Sequence, residues 1–260
     1  MKIAIHSKEK ENAKSLIEKI LNIAYSKGYE YDEVNPDVVI YLGGDGTFLR
    51  AVNTYKDRLD DVIFFGIHNG TLGFFYDFTN DKIEEAFEVL GKRENIKEYR
   101  LLKAELALED DVKETLYAVN EVRIENPFHT LKVDVLVDDV KLETFSGNGL
   151  IVCSSLGSTA YNRSLGGAIV HPELATLQIT EIAPILNKSY RTVGSSLILD
   201  GEKTVRFVGN LANVVVGFDH LTVNIKDPLE VKISLSNKVV KILHSSTHNH
   251  LNKIREIFAE

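Results

Sequence analysis

The chain has 260 residues, 44% of them hydrophobic, enough for a full core in one large or two modest domains. Its formal net charge of −8 argues against a broad nucleic-acid surface, which needs a basic face; an anionic substrate must be met locally by backbone amides, a metal ion or a few Arg and Lys side chains. A lone cysteine, Cys153, excludes an internal disulfide, and neither a signal-peptide pattern nor an apolar run of membrane-spanning length is present, so a soluble cytoplasmic protein with no nucleic-acid or membrane partner is expected.

The first hundred residues alternate strand and helix. Residues 2–6 read as a short strand, and Ala13, Leu16, Ile17, Ile20, Leu21 and Ala24 then repeat at helical spacing, with Gly28 as the residue past the helix end. The runs at residues 38–42 and 62–66 are continuously apolar, as strands covered on both faces should be. A further amphipathic helix spans residues 81–90 and ends at Gly91. This alternation predicts an α/β domain over residues 1–100, with a mostly parallel sheet and helices on both faces. Ligands of such sheets sit at the carboxyl ends of the strands. There, directly after residues 38–42, lies Gly43-Gly44-Asp45-Gly46-Thr47.

That turn carries chemistry. Glycine has no Cβ to collide with a ligand, and the N–H groups that open the next helix are free to bind an anion. A carboxylate is a poor holder of phosphate because like charges repel. Asp45 therefore reads as a base, or an outer-shell metal partner, beside phosphates, and the reaction as phosphoryl transfer. The plain alternative is a strand-to-helix turn with Asp45 as its N-cap. Arg50, one turn later, faces either a phosphate or solvent.

After about residue 100 the period changes to two. Leu102, Ala104, Leu106 and Leu108 alternate with polar residues, as do Val133, Val135 and Val137, which lead to a hairpin turn at Asp138-Asp139. Further strands are predicted at residues 214–218, 221–225, 229–235 and 239–243. The expectation for residues 101–245 is a β-rich domain of two packed sheets. Leu251, Ile254, Ile257 and Phe258 make a short amphipathic helix within residues 246–260, which either returns to the first domain or docks elsewhere.

Two elements of the β-rich region offer ligand chemistry. Asn120-Glu121, in a strand read over residues 117–124, supplies an amide and a carboxylate suited to sugar hydroxyls or an adenine edge; a plain strand or turn pair is the alternative. Gly157-Ser158-Thr159-Ala160-Tyr161-Asn162 combines hydroxyls, a glycine and an aromatic ring before Ser164, and reads as a base- or phosphate-binding loop or as a helix cap.

Taken together the motifs resemble the NAD kinase family over essentially the whole chain. The matches are Gly43-Gly44-Asp45-Gly46-Thr47, Asn120-Glu121, the turn Gly147-Asn148-Gly149, and Gly157-Ser158-Thr159-Ala160-Tyr161. Residues 66–74, 167–172 and 191–195 add family-like stretches. The resemblance implies phosphorylation of the 2′-hydroxyl of the adenosine ribose of NAD to give NADP, with Asp45 as general base. It places Asp45, Gly46, Asn120, Glu121, Asn148, Thr159, Ala160, Tyr161 and Ser164 around the substrates. Ala183 matches a position that contacts the neighbouring subunit's NAD. It further implies a divalent cation, usually Mg²⁺, held mainly through the donor phosphates, with ATP or polyphosphate as donor, in a homodimer or homotetramer. The chain departs from the family pattern at His68, Ser146, Asn148 and Ser154-Ser155-Leu156.

Other residues carry less. Cys153 reads as a small buried apolar residue. His68, His171 and His220 lack metal-ligand spacing, so no metal site made of protein ligands is expected. The histidines of residues 244–250 read as a solvated helix entry, with adventitious metal binding as the alternative. Two rival functions share parts of the pattern: a lipid or sugar kinase with the same glycine turn, which has no use for Asn120, Glu121 and Tyr161, and a module that binds NAD without turnover.

Overall fold

The computed structural model of the chain describes residues 1–8, 13–68, 73–107, 113–187, 191–211, 213–223 and 228–259. Leu108, part of residues 66–74 and the end of the strand expected at residues 221–225 lie outside the described residues. The chain divides into two units, Met1–Tyr99 with Lys238–Glu260, and Arg100–Asn237. Residues 238–245, read from the sequence as part of the β-rich domain, thus lie in the first unit.

The first unit is the expected α/β architecture. Strands β1 (Lys2–Ser7), β2 (Glu30–Tyr31), β3 (Val38–Leu42), β4 (Ile63–His68) and β5 (Phe78–Thr79) pair in parallel in the order β2-β1-β3-β4-β5. Successive strand residues point to opposite faces, and the two faces have different partners. Ile40, Phe65 and Ile67 belong to one core with Ile20 and Ala24 of helix α1 (Lys14–Ser26) and Phe87 and Leu90 of helix α3 (Ile83–Lys92). Tyr41 and Phe64 instead meet Phe48 of helix α2 (Asp45–Thr54), with ring centroids 5.1 and 6.1 Å away. Each such fully buried aromatic contributes about 1.5–3 kcal/mol by leaving water.

Helix α1 ends as expected. Gly28 adopts φ +75°, Tyr29 N–H donates to the Ala24 carbonyl, and Gly28 N–H donates to that of Tyr25, a left-handed cap in which glycine carries no Cβ penalty. Helix α3 ends otherwise. It runs through Gly91 and stops at Arg93, which takes the left-handed conformation instead.

The second unit is β-rich, as expected. Strands β6 (Ile96–Ala107), which enters from the first unit, and β7 (Lys113–Ala118) form a hairpin, followed by β8 (Glu121–Glu125), β9 (Leu131–Val137), β10 (Val140–Ser154), β11 (Thr176–Pro184), β12 (Leu197–Asp200), β13 (Val205–Gly209), β14 (Val215–Phe218) and β15 (Leu221–Val223). The long β10 pairs β9 and β8 along its length and β11 on its other edge, and β11 pairs β12. With β16 (Glu230–Leu243), strands β15-β14-β8-β10-β9-β13-β16 form one continuous hydrogen-bonded path. Strands β11 and β12 branch from β10, and β6 and β7 from β16, around a core that includes Leu102, Val122, Val133, Phe145, Leu150, Phe207 and Ile233.

Asp138 and Asp139, both with positive φ, close the β9–β10 hairpin as expected. Three local readings change. The strands read at residues 229–235 and 239–243 are one strand, β16 (Glu230–Leu243), which runs from the second unit into the first. Its polar centre is tolerated because Arg100 donates to the carbonyls of Leu235 and Ser236. Gly147-Asn148-Gly149 lies inside β10 rather than in a turn. Asn120 sits in the turn between β7 and β8, not within a strand.

Candidate active site

Gly43 adopts φ +137°, and a Cβ there would meet the Thr47 side chain, so the turn after β3 requires glycine. Gly44 is the N-cap of α2 and Asp45 its first helical residue, which excludes the simple N-cap reading of the aspartate. Asp45 is half-buried and its two carboxylate oxygens accept the N–H groups of Phe74 and Phe75, each at 3.1 Å. Burial raises the Asp45 pKa above the ordinary carboxylate range, against the opposing effect of those two N–H groups and of Lys253 and His68. A carboxyl raised towards the working pH suits a proton acceptor. Gly46 is exposed, and a Cβ on it would lie 3.7 Å from Arg50 Nη1. Arg50 donates from Nη2 to Thr47 Oγ1 at 3.2 Å, and its buried Nε has no hydrogen-bond partner among the described residues. A guanidinium with spare donors beside a free helix N-terminus is suited to phosphate.

In the second unit, Asn120 and Glu121 are both buried, and Asn120 Oδ1 and Glu121 Oε2 have no hydrogen-bond partner among the described residues. Adjacent orphaned acceptors in an interior call for a ligand or water. Their backbone is held by Asp219, whose carboxylate accepts the N–H groups of Val119 at 2.9 Å and Asn120 at 2.7 Å. Burial and the neighbouring Asp219 push the Glu121 carboxyl up to about 8, with Arg123 opposing. Burial likewise raises Asp219, to about 6.

Gly157 lies against Asn120, and a Cβ on Gly157 would collide with the Asn120 backbone. This brings the 3₁₀ turn Leu156–Thr159 and the single helical turn α4 (Tyr161–Ser164) onto the Asn120-Glu121 pair. Ser154 fixes the junction: its Oγ donates to the Val119 carbonyl at 2.7 Å and accepts from Gly157 N–H at 3.2 Å. Ser158 and Asn162 are fully buried and spent on internal bonds. Thr159, Ala160 and Tyr161 are half-buried, and Ser164 is exposed. The Tyr161 ring lies 5.9 Å from the Arg123 guanidinium, and its hydroxyl donates to Glu125 at 3.5 Å. Asn148 is exposed on β10, and Ala183, at φ +45°, occupies the register position opposite it, between the Gly147–Pro184 and Gly149–Ile182 pairs. Asn148 Nδ2 already donates to the Asn126 carbonyl at 3.3 Å. Cys153 is buried, and burial drives its thiol pKa up, as a structural cysteine requires.

The order of these features has a counterpart in known sequences. Residues 3–99 match the family model for the ATP-NAD kinase N-terminal domain, and residues 119–245 that for the ATP-NAD kinase C-terminal domain. The chain belongs to the NAD kinase family. It is 37% identical over 234 residues to NAD kinase 1 of Listeria monocytogenes, covering 89% of each chain. Its fold resembles that of yeast NADH kinase, solved in complex with NADH, with a TM-score of 0.83 at 21% identity, covering all of this chain and 87% of that one. An NAD kinase from Archaeoglobus fulgidus, solved in complex with ATP, gives 0.79 at 21% identity, over all of this chain and 98% of that one. Membership through both domain models sets aside the lipid- or sugar-kinase reading.

Within this NAD kinase fold, sequence reasoning missed Asp219 and Arg123, which lie against Asn120 and Glu121, Glu125, which pairs with Arg123 and Tyr161, and Lys253 and His68, which act electrostatically on Asp45. It also misjudged the histidine tail. His244 is buried rather than solvated, and His248 is half-buried. The helix entry itself is Asn249, which caps helix α5 (His250–Phe258) by accepting from Leu251 and Asn252 N–H. For a divalent cation, Asp45 is the only carboxylate on the glycine turn, and it is already engaged by two N–H groups. The residues therefore fit a Mg²⁺ held largely by phosphates and water, the usual arrangement for that ion.

Proposed function

We infer that this protein is an NAD kinase that phosphorylates the 2′-hydroxyl of the adenosine ribose of NAD to give NADP. The observation that carries this reading is the pair of orphaned acceptors at Asn120 and Glu121, in a chain that also presents a lone carboxylate on a glycine turn. A neutral Glu121 carboxyl both donates and accepts, which matches a sugar diol. Thr159, Ala160, Tyr161 and Ser164 line the adenine and ribose, Asn148 bonds a ribose hydroxyl, and Ala183 approaches the ligand of a neighbouring subunit. Asp45 takes the hydroxyl proton as the acceptor oxygen attacks the terminal phosphorus of the donor and the bond to the bridging oxygen breaks, releasing the nucleoside diphosphate. Gly46 leaves room for the phosphates, and Arg50 offers them its guanidinium. A Mg²⁺ carried in on the donor phosphates would supply charge neutralisation at the transferring phosphoryl group. ATP is the donor, in keeping with its presence in the archaeal relative.

The working form is a homo-oligomer. Ile169, Leu174, Leu186, Val193 and Ile198 are all exposed on the part of the second unit that holds β11 and the edge strand β12. Unpaired strand edges with apolar side chains invite a partner. A reducing cytoplasm suits the single buried thiol. The deciding assay is incubation of purified protein with ATP, Mg²⁺ and NAD, read by an NADP-specific dehydrogenase. NADP should form. Calorimetric NAD binding without NADP would leave only the non-catalytic module, and absence of both would overturn the reading.

A further inference from the structure

Three residues of the first unit form a cluster that the phosphoryl-transfer chemistry does not use. Asp77, His244 and His248 place one oxygen and two Nδ1 atoms within 4.8 Å of one another. His244 Nδ1 lies 2.8 Å from Asp77 Oδ2 and His248 Nδ1 lies 2.9 Å from Oδ1. The two imidazoles stack with centroids 3.8 Å apart. The intervening turn is closed by His248 N–H donating to the Ser245 carbonyl at 3.1 Å, and Ser245 N–H donates to Asp77 Oδ2 at 3.2 Å. The side chains of Asp77 and His244 are nearly covered and that of His248 is partly exposed, so the cluster opens at His248.

We propose that Asp77, His244 and His248 bind a zinc-class divalent cation, with water in the fourth position. Two imidazoles and one carboxylate are a recurring three-ligand set for that metal. A tetrahedral ion with ligands at about 2.0–2.1 Å sets adjacent ligand atoms about 3.3 Å apart, so a set lying within 4.8 Å closes onto the ion by movements of at most about 1.5 Å. Coordination through Nδ1 moves the imidazole proton to Nε2. For His244 a partner is in place, because the Tyr99 hydroxyl oxygen lies 3.1 Å from Nε2 and accepts from it in that tautomer. Such outer partners fix the ring orientation of metal-bound histidines. The Lys253 ammonium, 3.8 Å from Asp77 Oδ1, disfavours an ion held by charge alone. Nitrogen ligands favour zinc-class metals over Mg²⁺ or Ca²⁺. The ion would tie residues 244–248 to Asp77, two residues beyond the Phe75 N–H that holds Asp45.

The test uses full-length protein freed of metal with a chelator and titrated with Co²⁺ as a spectroscopic probe, without nucleotide. One equivalent should give the intense visible absorption of a four-coordinate site, and Zn²⁺ should displace it. Zn²⁺ at a hundredfold excess over Kd should raise Tm by about 5–10 °C. Both effects should vanish in His248→Ala and, if that variant fails to fold, in His248→Gln, which retains a hydrogen bond to Asp77. Tyr99→Phe should weaken Co²⁺ binding by about 10–100-fold. Only weak six-coordinate absorption in the wild type, or an unchanged spectrum and Tm shift in the His248 variant that folds, would overturn the proposal.

Discussion

At the scale of single residues, burial raises two carboxyls in the same direction, and the fold puts them to different uses. Asp45 is raised by burial while two backbone N–H groups hold it ready. A positioned base contributes about 10²–10⁴-fold, so Asp45→Asn should lower kcat by that factor, with circular dichroism unchanged. Turnover near the wild-type rate would remove Asp45 from proton transfer. Because its pKa lies above the usual range, the acid limb of the wild-type rate profile should also lie above that range. Glu121, pushed up to about 8, has the opposite use: it stays neutral. Its folded-state pKa exceeds the unfolded one, so the folded state holds the extra proton between the two values. Its stabilising effect is complete below about 4.5 and is lost as pH rises through about 8. Tm of the ligand-free protein should therefore fall over that interval, and Glu121→Gln should flatten the fall. Parallel Tm–pH curves for the two proteins would show that Glu121 is ionised throughout.

At the scale of elements, the two glycine contacts do the positioning. Gly43 allows the chain to leave β3 and enter α2 with Asp45 at the first helical position. Gly157 lets the 3₁₀ turn press on Asn120. A methyl group at residue 157 forces that contact apart. Gly157→Ala should cost about 1–3 kcal/mol in chemical denaturation, the usual range for overpacking, and should weaken NAD binding measured by calorimetry. Unchanged NAD affinity in a folded variant would separate the turn from the site. The serines that depart from the family pattern belong to the same element. Ser154 bridges Val119 and Gly157, and Ser155 donates to the Leu174 carbonyl and pairs with Thr176 Oγ1 at 2.9 Å. Their hydroxyls are structural here, so the departure leaves the turn in place.

At the scale of the whole molecule, the exposed apolar residues beside β12 bear on assembly. Ile198 is 45% exposed on an edge strand, where a charge would be desolvated by any partner. Ile198→Asp should shift light scattering towards the monomer mass while leaving the monomer folded. If the wild type is already monomeric and makes NADP at a full rate, the shared-site role of Ala183 falls. No helix among the described residues is long and apolar enough to cross a membrane.

The sequence by itself determined the fold class, the position of the glycine turn after β3 and the family, because period-two and helical patterns, glycine turns and motif order are properties of neighbouring residues. It did not separate strand from turn at Asn120 or see β16 as one strand, since propensity yields to pairing partners that lie elsewhere in the chain. Tertiary structure alone decided what surrounds each functional group. The N–H donors to Asp45 come from 29 and 30 residues away, the carboxylate behind Asn120 from 99, and the histidines on Asp77 from 167 and 171. Contacts of that separation leave no periodic trace in the sequence, because they are fixed by how strands and helices pack rather than by which residues are neighbours along the chain.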